Sequence, residues 1–130
     1  MKPFVFYWLP AIALCTLIFL QSCFATPDVL PSWPYQDKVI HAGIYGVLAA
    51  LWVRAFNTLP SWQGRRGRLL FIGIALATLY GLSDEWHQSF VPARSADAAD
   101  LLADFIGSLI GSWLYIRFAL ISRSVRPSAR

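Results

Sequence analysis

Three short clusters carry nearly all the reactive side chains of this sequence: Asp37-Lys38-x-x-His41-x-x-x-Tyr45, Asp84-Glu85-x-His87-Gln88, and Arg94-x-x-Asp97-x-x-Asp100-x-x-x-Asp104. Their types suit two kinds of chemistry. His41 or a carboxylate can serve as a general acid or base. Arg94 is a planar fork of donors suited to a phosphate or carboxylate, and Tyr45 and Gln88 can orient a ligand by hydrogen bonds. The candidate polar pocket is therefore Asp37, Lys38, His41, Tyr45, Glu85, Gln88, Arg94, Asp97, Asp100 and Asp104.

Spacing constrains how these groups can act. Asp37, His41 and Tyr45 are four apart, so they stack on one helical face. Asp37 is placed to cap that helix, where its charge also suits the helix dipole. Asp100 and Asp104 stack in the same way. A purely structural alternative is a girdle of salt bridges in which Lys38 and Arg94 offset the acids. Glu85 and His87 are two apart and face different sides of a helix, unlike the His-Glu-x-x-His of zinc hydrolases, so no metal is expected. No cofactor motif is present.

The elements that position these clusters are apolar. Of 130 residues, 57% are hydrophobic and 14% charged, against roughly 25% charged in ordinary soluble domains. A chain this small could not bury that much apolar surface in one soluble core. The expectation is an all-α, four-helix transmembrane bundle formed by a single domain over residues 1–130. Its spans fall at about residues 4–25, 39–56, 69–85 and 100–121. The purely apolar part of the third, residues 69–82, covers only about 21 Å of an about 30 Å hydrocarbon layer. Ser83, Asp84, Glu85 and Gln88 are thus expected to continue that helix below the surface. Charged groups at such depth are costly and usually mark a pathway, a cavity or a site of chemistry.

Lysine and arginine set the expected orientation. Lys2, Arg54, Arg65, Arg66, Arg68, Arg117, Arg123, Arg126 and Arg130 fall at the termini and second loop, whereas the first and third loops hold only Lys38 and Arg94. Both termini should then be cytoplasmic and all three clusters should lie in the outward half of the bilayer. The opening segment is long for a cleaved signal peptide and is read as a retained span. Pro27, Pro31 and Pro34 imply an extended outer loop over residues 25–36, and Trp62 with residues 64–67 an inner turn. Gly107-x-x-x-Gly111 allows close helix approach, within the bundle or between copies in a homo-oligomer, with Gly43 and Gly46 as the counterpart surface. Cys15 and Cys23 are eight apart on one helix and cannot bridge to each other. The net charge of +4 forms no basic arm, so nucleic acid is not an expected partner.

The ordered set of Asp37-Lys38-x-x-His41-x-x-x-Tyr45, Asp84-Glu85-x-x-Gln88, Arg94-Ser95, Asp100-x-x-x-Asp104 and Gly107-x-x-x-Gly111 resembles the VanZ-like family of small bacterial membrane proteins. The likeness spans residues 37–111. That family commonly carries Asn where this chain has Asp104, so the chain departs from the pattern by one added acid. The resemblance implies a multi-pass protein of the bacterial cytoplasmic (inner) membrane. It also implies an accessory role in resistance to glycopeptide antibiotics such as teicoplanin, and it brings no established reaction.

Three functions compete on these residues. The first is a binding or accessory protein that contacts an envelope lipid, a cell-wall precursor or an amphiphilic drug. The second is an enzyme acting on a lipid-linked substrate through His41 and Glu85, although no nucleophile motif or phosphate-cradling loop accompanies them. The third is proton-coupled transport, against which stands the scarcity of polar residues in the inner halves of the spans, Thr78 and the terminal arginines excepted.

Overall fold

A computed structural model describes residues 2–24, 33–92 and 94–120. Among these residues there are four long helices and no strand: α1 (Lys2–Ser22), α2 (Gln36–Phe56), α3 (Arg66–Gln88) and α4 (Ala98–Tyr115), the last prolonged by a π-helical turn (Ile116–Leu120). All four are long and apolar enough to cross a membrane. The 23 residues of α3 span about 34 Å, so its polar end does continue the helix as the short apolar run required. Pro10 lies inside α1, a position tolerated in membrane helices.

Large apolar side chains such as Val5, Phe6, Leu17, Phe71, Leu79 and Phe118 point outward, at 51–71% exposure, which suits a lipid solvent. Inside, Leu48, Ala49, Val53, Leu69 and Ala77 are fully buried. The helices alternate in direction, so α2 and α4 run parallel and form the tightest pair; α3 packs against both and α1 lies on α2 and α3.

Small residues make that pair possible. A side chain at Gly107 would strike the backbone of Ala42, and one at Gly111 the backbone of Gly46. The counterpart of Gly107-x-x-x-Gly111 is therefore Ala42-x-x-x-Gly46, and the contact lies within the bundle. Gly43, expected to share this face, has open space beside it: it is three residues from Gly46, and only the four-residue spacing matches the partner's ridge.

Three local expectations are corrected. Asp37 is not the cap of α2: Tyr35 holds that position in a left-handed conformation (φ 65°) and makes no side-chain cap, while Asp37 sits in the first helical turn. That backbone costs about 1–2 kcal/mol for a non-glycine residue. It is secured by Gln36, whose Oε1 accepts from the Trp33 N–H at 3.3 Å and whose N–H donates to the Trp33 carbonyl at 3.1 Å. Gly67 belongs to α3 rather than to the inner turn, where Gly64 alone takes a positive φ of 72°. The fourth helix starts at Ala98, before residue 100. The extended loop over residues 25–32 and the basic tail after residue 120 lie outside the described residues.

The glycine contact generates a prediction. Gly111→Val should lower stability in detergent by about 1–3 kcal/mol or prevent assembly, because backbone rather than a flexible side chain fills the space. Gly43→Ala should change it by less than about 1 kcal/mol. Thermal unfolding of the two purified variants checks the difference.

Candidate functional site

The N-termini of α2 and α4 and the C-termini of α1 and α3 meet at one end of the bundle. Six of the seven acidic residues gather there; the seventh, Asp28, falls outside the described residues. Acids at a helix N-terminus are favoured by the dipole. Asp37 and Asp100 occupy such positions in the first turns of α2 and α4. Asp84 and Glu85 sit at the opposite, unfavourable pole of α3 and need partners of their own.

Lys38 is the hub of the outermost layer. Its ammonium donates to Asp37 Oδ2 at 2.9 Å and to Asp97 Oδ2 and Asp100 Oδ1 at 2.5 Å each. Asp97 also caps α4, accepting from the Ala99 N–H at 2.8 Å. The Lys38 ammonium and that N–H hold the Asp97 carboxyl below the usual aspartate range. Glu85 Oε2 accepts from the Asp97 N–H at 2.8 Å, which fixes the third loop to α3.

One turn deeper, His41 Nδ1 lies 2.9 Å from Asp104 Oδ1, and its Nε2 lies 3.8 Å from Asp100 Oδ2. An ionised Asp104 accepts a hydrogen bond from Nδ1–H, which leaves the Nε2 lone pair on the side of Asp100. Asp104 is fully buried; its Oδ2 packs against Gly81, where any side chain would collide with it. The His41 ring stacks on Tyr45, with 6.0 Å between centroids.

A second polar node surrounds Asp84. Its carboxylate accepts from the Ser22 hydroxyl, from Gln88 Nε2 at 2.8 Å and from the Tyr45 hydroxyl at 3.3 Å. Gln88 Oε1 in turn accepts from Arg94 Nη1 at 3.0 Å. The rest of the Arg94 fork closes the end of α1: Nε and Nη2 donate to the Phe24 carbonyl at 3.1 Å and Nη2 to the Gln21 carbonyl at 3.4 Å. Among the described residues Arg94 forms no ion pair with an acid, so the expected girdle rests on Lys38 and His41 alone. The cause is local: the Phe24 carbonyl just past α1 and the Gln21 carbonyl in its last turn face the guanidinium, at the negative end of the helix dipole.

All ten expected pocket residues thus lie at one end of the bundle. Ser22 and Asp84 belong with them; Asp84 was expected at this end but not among the pocket residues, and Ser22 was not singled out. The signal for Asp84 was its four-residue spacing to Gln88; Ser22, a lone serine in an apolar run, offered none. His87 faces away and stacks on Phe19 at 5.0 Å.

A cavity of about 620 Å³ adjoins the cluster. Leu14, Leu17 and Ile18 of α1 and Ile40 and Ile44 of α2 form an apolar wall, while Asp37, His41, Tyr45, Asp84, Gln88, Arg94, Ser95 and Asp100 form a polar one. The space therefore fits an amphiphile, apolar along the helices and polar at the end.

The Asp84 node predicts a graded pair of effects. Asp84→Ala leaves the Tyr45 and Gln88 donors without their acceptor, while the Ser22 hydroxyl keeps the Ile18 carbonyl at 2.9 Å, and should cost about 1–3 kcal/mol. Asp84→Asn keeps one acceptor oxygen and should cost less. Chemical denaturation in detergent micelles measures both. Arg94→Ala should likewise cost about 1.5–3 kcal/mol by freeing the Phe24 carbonyl beyond α1 and Gln88 Oε1, with partial recovery in Arg94→Lys.

Comparison with known proteins agrees with this architecture. The VanZ/LLP1 family model matches residues 4–121, nearly the whole chain and all four helices. No curated protein and no solved structure matches. With four apolar helices and a family match over almost its full length, the chain is a multi-pass membrane protein that belongs to the VanZ/LLP1 family.

Proposed function

We propose that the protein binds an amphiphile of the cell envelope at the outward face of the bacterial inner membrane, in a binding or accessory role. The cavity carries this reading. Its apolar wall suits an acyl or prenyl chain, and its carboxylate-rich polar end suits the hydroxyl, amide and amino groups of a cell-wall precursor or of the sugar–peptide head of a lipoglycopeptide. Such a role accords with the response to glycopeptide antibiotics such as teicoplanin that is associated with VanZ-like proteins.

Charge distribution supports the outward orientation. Arg54, Arg65, Arg66, Arg68 and Arg117 mark the end of the bundle opposite the acids, and basic residues favour the cytoplasmic side. A second reading, an enzyme on a lipid-linked substrate, draws on one observation. His41 is held by Asp104 through Nδ1 and borders the cavity, the arrangement of a general base with an orienting carboxylate.

Two experiments test the proposal. Ile44→Trp fills the apolar wall without touching the polar network; it should weaken binding of a fluorescent cell-wall-precursor lipid or of teicoplanin at least tenfold while membrane insertion is unchanged. Unaltered affinity for both probes would refute the cavity as the site, and turnover of a lipid-linked substrate that ceases in His41→Ala would favour the enzyme. For orientation, Ser89→Cys in a Cys15→Ser, Cys23→Ser background should react with an impermeant maleimide in intact cells. Ser61→Cys should react only after permeabilisation, and the reverse pattern would place the acids in the cytoplasm.

A further inference from the structure

We infer that His41, Glu85 and Asp100 together bind a divalent transition-metal ion at the wall of the cavity. One donor atom from each lies within 4.8 Å of the other two, and the residues come from α2, α3 and α4. No helix contributes two donors, so the trio has no signature in residue spacing.

Glu85 supplies the observation that points to an occupant. It is 6% exposed, and its Oε1 is buried with no hydrogen-bond partner among the described residues. Its other oxygen is held by the Asp97 N–H at 2.8 Å, so the side chain is fixed with one oxygen free. An unmatched carboxylate oxygen at this depth is expensive unless it coordinates a cation or carries a proton. Asp100 is divided in the same way. Lys38 holds Oδ1, while Oδ2 faces His41 Nε2 at 3.8 Å, too far for a hydrogen bond.

His41 is prepared as a ligand. Its Nδ1 is engaged by Asp104 at 2.9 Å, which leaves Nε2 as the free donor. Metal-binding imidazoles commonly have such a carboxylate behind them, fixing tautomer and ring orientation. Asp104, the acid by which this chain departs from the VanZ-like pattern, is the group in that position.

Charge balance argues the same way. The trio itself carries the Glu85 and Asp100 carboxylates and lies among Asp37, Asp97 and Asp104, and Lys38 is the only lysine or arginine among the described residues that pairs with these acids. One nitrogen and two oxygens form a borderline donor set, suited to Zn²⁺, Mn²⁺ or Fe²⁺ rather than to thiolate-seeking Cu⁺. Bonds of about 2.0–2.2 Å put neighbouring donors about 3.3 Å apart around a tetrahedral ion, so the side chains would draw in by about an ångström. Three protein ligands leave a fourth position open. His41 and Asp100 border the cavity, so that position is available to an anionic head group. The ion site stands on its own geometry and does not require the ligand reading.

The test uses the full-length chain in detergent, stripped with a chelator and titrated with Zn²⁺ alone. One Zn²⁺ per chain is expected, with affinity at least about tenfold weaker in Glu85→Gln and in Asp100→Asn. Glu85→Gln retains an oxygen for the Asp97 N–H and so preserves the local fold. No stoichiometric uptake by the wild-type protein at about 100 µM free Zn²⁺, or unchanged affinity in both variants, would overturn the site. Should the variants misfold, the absorption spectrum and X-ray absorption of the Co²⁺-loaded wild-type protein decide. One imidazole with oxygen ligands supports the proposal; thiolate ligation or no imidazole overturns it.

Discussion

Two charged layers join α2 to α4, and the rest of the polar end is arranged around them. Lys38 meets Asp100, and one turn deeper His41 meets Asp104. Below these layers the helices touch through backbone, Ala42 and Gly46 against Gly107 and Gly111. The two features depend on each other. Ionisable groups within a membrane must be paired, and short side chains such as aspartate reach their partners only where the helix axes lie close. Small residues give that proximity, and parallel alignment of α2 and α4 then sets acids on one helix beside cations on the other.

Helix polarity explains why the charges collect at this end. Two N-termini face the acids of the first turns, and two C-termini face Arg94 and the Asp84 node. Arg94 is thereby committed to the end of α1 rather than to an external anion, which makes it a fastening for the helix beside the cavity. Lys38 closes the outer rim. What remains facing the cavity without a full set of partners is the His41–Asp100 pair, with the unmatched oxygen of Glu85 close behind it.

Much of this was legible in the sequence because membrane insertion leaves strong signals. Four apolar runs give four helices, and a third run too short for the bilayer shows that Asp84, Glu85 and Gln88 extend its helix. Four-residue spacing also put His41 beside Tyr45 and Asp100 near Asp104. What escaped was set by contacts between helices. The orientation of Arg94 depends on the Phe24 carbonyl just past α1, and Ser22 gains meaning only beside Asp84. Gly43 and Gly46 look alike in sequence, yet only Gly46 meets α4. The His41, Glu85 and Asp100 trio draws each donor from a different helix, so a search along any one of them finds nothing.

The central claim is that paired charges between α2 and α4 hold the site together. A double-mutant cycle on His41→Ala and Asp104→Ala, read by reversible unfolding in detergent, tests it most directly. The account predicts a coupling of about 1–3 kcal/mol, because removing either partner strands the other. Strict additivity of the two single losses would contradict it, since the two side chains would then not depend on each other.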